Sequence, residues 1–119
     1  MEKRMHKLNL QLHEELMGDD LCVCIHGGDR GHIGSVAIAE PRKSLADNNT
    51  GSATVSVYNV LGHKDGEVAQ RMAFSLAAKT GKRCVVVCGI HYDQITNDTF
   101  LALDDWIMKT TELLIEKYR

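Results

Sequence analysis

The chain has 119 residues, 44% of them hydrophobic types and 25% charged, with a formal net charge of −2. That is the size of one domain, 1–119, with apolar mass for a real core and without the basic excess that nucleic acid or an anionic membrane surface demands. One proline and ten glycines argue against long disorder, and no apolar run is long enough to span a bilayer.

Met1-Glu2-Lys3-Arg4-Met5-His6 is not followed by an apolar signal segment, so the expected location is the cytoplasm. The four cysteines, Cys22, Cys24, Cys84 and Cys88, are then expected as thiols. Cys22 and Cys24 share a strand face at a spacing other than that of a zinc knuckle, and all four read as small buried hydrophobes.

Leu8, Leu10 and Leu12 alternate with Asn9, Gln11 and His13, the period of a half-buried strand. Met17-Gly18-Asp19-Asp20 is a turn, and Leu21 to His26 is a second strand with Leu21, Val23 and Ile25 on one face. Gly27-Gly28-Asp29-Arg30-Gly31 interrupts the pattern, and Ile33 to Ala39 is a third strand ended by Pro41. A polar loop over 42–52 leads to a fourth strand, Ala53 to Val60.

The period then changes. Val68, Met72 and Leu76 recur every four residues, as do Ala69, Ala73 and Ala77, which predicts an amphipathic helix stopped by Gly81. Val85-Val86-Val87 suits a fifth strand covered on both faces. Thr96 caps a second helix, with Ile95 and Phe100 spaced as a hydrophobic staple. Leu103, Trp106, Ile107, Leu113 and Leu114 are its apolar stripe. The order β-β-β-β-α-β-α predicts an α/β (α+β) fold, a mostly antiparallel five-stranded sheet with two helices on one face.

Chain direction gives this order a functional meaning. With the second strand running up, the loops at 26–32, at 62–66 and at 89–93 all fall on the same edge. Four of the six histidines, His26, His32, His63 and His91, gather there with Asp29, Asp65, Asp93, Arg30 and Lys64. Open sheets commonly bind ligands beyond strand ends. Gly27 and Gly28 permit close backbone approach and amides turned towards an anion. Gly62 to Gly66 leads into a helix N-terminus, which favours a phosphate, and Lys64 and Arg30 supply matching charge. His32, His63 and His91 with Asp93 carry the donors of a divalent-metal site, and Asp29 adds a further carboxylate.

Each loop alone has a plainer reading. The Gly27-Gly28 pair lacks the third glycine and the strand-to-helix setting of a dinucleotide fingerprint. Gly62 to Gly66 is an ordinary helix start with Asp65 as cap, and a single loop histidine is usually solvated. Together the three loops favour a ligand site. No nucleophile elbow is present, and with so few groups binding is the better expectation than turnover.

His-Gly-Gly-Asp-Arg-Gly-His-Ile-Gly at 26–34, Gly-His-Lys-Asp at 62–65 and Gly-Ile-His-Tyr-Asp at 89–93 resemble a family of small bacterial proteins, the prenylated-flavin chaperones similar to the D subunit of gallate decarboxylase. The likeness runs from the second strand to the second helix. It implies a fold similar to proteasome-assembly chaperones, which pair as dimers. It also implies a cofactor, prenylated flavin mononucleotide, and a partner, a UbiD-type decarboxylase to which that cofactor is delivered. Carried over by motif, Gly27, Gly28, Asp29, Arg30 and His32 match the first loop, His63 and Lys64 the second, and His91 and Asp93 the third.

The leading expectation is therefore a non-catalytic carrier and homodimer. Gly27, Gly28, Asp29, Arg30 and Lys64 hold the cofactor, and a divalent ion bridges to His32, His63, His91 and Asp93. Two alternatives stand beside it. One is a small metal-dependent enzyme with Asp29 or Asp93 as base. The other is an assembly factor that docks another subunit.

Overall fold

The structure is a computed structural model and describes residues 8–46, 49–60 and 66–119. The expected sites His63 and Lys64, with Gly62 and Asp65, lie outside the described residues. The elements are β1 (Leu10–Met17), β2 (Asp20–Gly28), β3 (Arg30–Lys43), β4 (Gly51–Asn59), α1 (Gly66–Thr80), β5 (Cys84–His91) and α2 (Asn97–Tyr118).

The sheet order is β1-β2-β5-β3-β4. The β1/β2, β3/β4 and β3/β5 pairs are antiparallel, and β2/β5 is parallel. The mixed, mostly antiparallel sheet follows the sequence reading, with one difference in neighbours. β2 and β3 are consecutive in the chain but do not pair, because β5 is inserted between them.

Alternation explains the burial. Leu21, Val23 and Ile25 of β2, Ala37 and Ala39 of β3, and Cys84, Val86 and Cys88 of β5 are all at most 1% exposed and face the helices. Ala69, Ala73 and Ala77 of α1 are fully buried, so a ridge of methyl groups brings the helix close to the sheet while Met72 and Leu76 fill the gaps beside it. Gly81 takes φ 74° and donates its N–H to the Ala77 carbonyl at 2.9 Å, which closes α1. The Thr96 hydroxyl accepts the Thr99 N–H at 3.1 Å, as a cap should.

α2 lies beside α1 and buries Ile107, Thr110 and Leu114. Its end is tied to β1, where Glu14 accepts from Lys117 Nζ at 2.8 Å and from the Tyr118 hydroxyl. Three details depart from expectation. Leu113 is 71% exposed, because the buried stripe runs through Thr110 instead. Cys22 and Cys24 are only half-buried, since they point away from the helices. β3 continues through Pro41 to Lys43, because beyond Ala39 only β4 flanks it and a proline there interrupts no second ladder.

Candidate functional site

The turn between β2 and β3 crosses over the end of β5. Gly28 and Arg30 both stand in register with His91, one on each side, and Asp29 spans between them. The crossing is close. Gly28 has φ 80°, and a Cβ there would lie 2.3 Å from the His91 carbonyl oxygen. At Gly27, with φ 140°, a Cβ would lie 2.1 Å from the Asn9 carbonyl oxygen. The glycine pair is thus required by the chain's own packing.

The amides of this turn are already engaged. Gly28 donates its N–H to the Asn9 carbonyl at 3.2 Å, and Asp29 donates to the His91 carbonyl at 2.6 Å. The Asp29 carboxylate in turn accepts the Asp93 N–H at 2.7 Å. Asp93 pairs with His91, Nε2 to Oδ1, at 2.9 Å. A carboxylate can only accept, so the proton of that bond sits on Nε2. His32 meets the His91 ring edge-on at 6.5 Å between centroids.

The first and third loops are therefore one bonded unit at the upper edge, as chain direction predicted. The flanks of the second loop reach the same edge. Val60 donates to the Gly34 carbonyl at 2.8 Å, and Gly66, the first residue of α1, packs directly on the Asn59 side chain. His26 lies beneath the first loop. Its ring stacks on His13 with centroids 5.4 Å apart and packs against Gly31, where a Cβ would lie 2.8 Å from its Nδ1.

Arg30 is the uncommitted charge of the site. Arg71, Arg83 and Arg119 are ion-paired, and Arg42 is hydrogen-bonded to Thr54 and to the Lys43 carbonyl. Among the described residues Arg30 has no hydrogen-bond or ion-pair partner, and it is exposed. A guanidinium in that state is ready for a phosphate or carboxylate.

Of the expected metal set, His63 lies outside the described residues, and His32, His91 and Asp93 are not grouped as ligands. Among the described residues no three histidine, cysteine, aspartate or glutamate side chains are grouped to hold an ion. The reason is local. Asp93 and His91 satisfy each other, and the Asp29 carboxylate is turned to a main-chain amide instead.

Two contributions were not read from the sequence. Asn9, at φ 57°, supplies the carbonyl that receives Gly28, and the Leu8 carbonyl accepts the Tyr92 hydroxyl at 2.8 Å. Burial, and then the Asp29 charge, push the Tyr92 hydroxyl above its ordinary pKa, so it stays a donor at neutral pH. The only early signal was the polar Asn9 within an alternating leucine run.

A two-layer α+β domain with one linked rim of loops is the class that this geometry defines. The chain belongs to the prenylated flavin chaperone LpdD-like domain family, whose family model matches residues 4–119. No protein among the curated sequences matches it. Among solved structures it is similar to a crystal structure of a novel chaperone complex for yeast 20S proteasome assembly. There the TM-score is 0.48 at 12% identity, covering 92% of this chain and 98% of that one. No helix among the described residues is long and apolar enough to cross a membrane.

Proposed function

We propose that this chain is a non-catalytic carrier that binds prenylated flavin mononucleotide and delivers it to a UbiD-type decarboxylase, working in the cytoplasm as a homodimer. Family membership supports the flavin. The observation that carries the site is Arg30, which lacks a partner among the described residues and flanks His91 at the rim. In this reading Arg30 and Lys64 neutralise the phosphate near the start of α1, whose free N–H groups add a favourable dipole. Gly27 and Gly28 let the turn pass over β5, and Asp29 fixes that turn to the last loop. His91, Asp93 and His32 border the same rim. A divalent ion bridging His32, His63, His91 and Asp93 has no support in the described geometry and stands outside the reading.

Binding through charges on a rim, without burial of the whole ligand, suits a carrier. The cofactor is held firmly enough to be protected and loosely enough to be surrendered. The test is anaerobic titration of the full chain with the prenylated cofactor, followed by flavin absorbance. Saturation near one equivalent is expected. Arg30→Ala weakens binding about 10-fold or more, and Arg30→Ala with Lys64→Ala weakens it further. A wild type that does not bind, or a double variant that binds equally well, contradicts the proposal.

A further inference from the structure

The two helices leave an open trough between them on the side turned away from the sheet. Its volume is about 370 Å³. Buried Met72 of α1 and Ile107 of α2 are its floor, and Phe74 and Met108 stand at its sides. Those two are 42% and 54% exposed, so water reaches large apolar groups there. Leu101, also exposed, precedes Met108 by two helical turns and extends the same face of α2.

The rim is charged, with one sign on each wall. α1 contributes Arg71 and Lys79, and α2 contributes Asp104 and Glu112. Arg71 and Asp104 join across the trough at 3.3 Å and neutralise each other. Both helices start near the edge that carries the loops and run away from it. Lys79 and Glu112 therefore each stand about 12 Å further along, on opposite walls. Among the described residues neither has a hydrogen-bond or ion-pair partner.

These features select the occupant. A small ligand is fixed by polar groups that converge in the depth of an enclosing pocket, whereas here the depth is apolar and the sides are open. An anionic membrane surface is disfavoured by the acidic wall. About 12 Å of trough matches two turns of helix, which present apolar side chains at i, i+3 or i+4, and i+7. An exposed Phe and Met inside a charged rim are the anatomy of a protein interface. We infer that the trough between α1 and α2 docks an amphipathic helix of another protein. That helix carries an apolar stripe with a carboxylate on the flank that meets Lys79 and a cationic residue on the flank that meets Glu112. This goes beyond the carrier reading and does not rest on it.

Fluorescence anisotropy of the full chain with three labelled helical peptides tests it. Each peptide has about 18 residues and the same leucine stripe. One is flanked by glutamate on one side and lysine on the other, one by glutamate on both sides, and one by lysine on both. The wild type binds the mixed peptide with a Kd below about 100 μM and each of the others about 3-fold more weakly or worse. Lys79→Glu moves the preference to the lysine-flanked peptide, and Glu112→Lys moves it to the glutamate-flanked one. Met108→Lys weakens all three by about 10-fold or more, with far-UV circular dichroism unchanged. Leu113→Lys, exposed on another side of α2, changes none of them. A wild type that ignores the mixed peptide, a preference that neither charge reversal moves, or binding that survives Met108→Lys overturns the inference. So does a dimer of this chain that Met108→Lys dissolves in sedimentation equilibrium, since the trough would then belong to a second copy. None of these outcomes touches flavin binding, so the carrier reading is tested separately.

Discussion

Asp93 donates its main-chain N–H to the carboxylate of Asp29 at 2.7 Å, across 64 residues of chain. That one bond fastens the loop after β5 to the turn between β2 and β3, and holds His91 between Gly28 and Arg30. The acceptor matters more than its charge. Asp29→Ala is expected to weaken cofactor binding several-fold and cost about 1 kcal/mol of stability, whereas Asp29→Asn, which keeps an oxygen acceptor, retains most of both. Urea unfolding and flavin titration on the two variants check this.

Gly28 carries a stricter requirement. Its φ of 80° and the His91 carbonyl at 2.3 Å from a built Cβ leave no place for a methyl group. Gly28→Ala is expected to lose about 2 kcal/mol or more, while Gly18→Ala, at φ 62° with open space around its Cβ, loses less. Equal losses by thermal melting would mean that the crossing over β5 is not tight.

At the start of α2, the Thr96 hydroxyl satisfies the Thr99 amide. Thr96→Ala is expected to cost about 1 kcal/mol in denaturant unfolding, and Thr96→Asp to restore most of it.

Glu14 gives the fold a pH signature. Its hydrogen bonds from Lys117 and Tyr118 hold the carboxyl below its ordinary pKa. A depressed carboxylate contributes stability in full above the unfolded pKa and loses it as pH falls through the lower folded value. The wild type is therefore expected to melt above Glu14→Gln at pH 7, and the gap to close as pH drops below the usual carboxylate range. A gap that persists at pH 2 would assign the effect to packing instead.

Much of the fold was legible because periodicity reports burial. The fourfold recurrence of Val68, Met72 and Leu76, the stop at Gly81 and the cap at Thr96 are local, and each appears where local chemistry puts it. Strand neighbours are not local. Nothing in 84–91 states that β5 will enter between β2 and β3, since Val-rich strands fit any covered position. Pro41 misled for the same reason, because its effect depends on whether a strand lies beside it. At the site, chain direction alone brought the first and third loops together. The choice of partners within them was not readable. Asp29, Asp93 and His91 satisfy one another and the backbone, a structural clasp that side-chain types alone do not announce. Arg30 keeps its charge free because no carboxylate among the described residues is paired with it.

Native mass spectrometry of the full chain, purified without oxygen from cells that also make a flavin prenyltransferase, tests the carrier reading most directly. The expected spectrum shows one prenylated flavin mononucleotide per chain, lost in Arg30→Ala combined with Lys64→Ala. A wild type that emerges free of flavin, and takes up none when the purified cofactor is added, contradicts it.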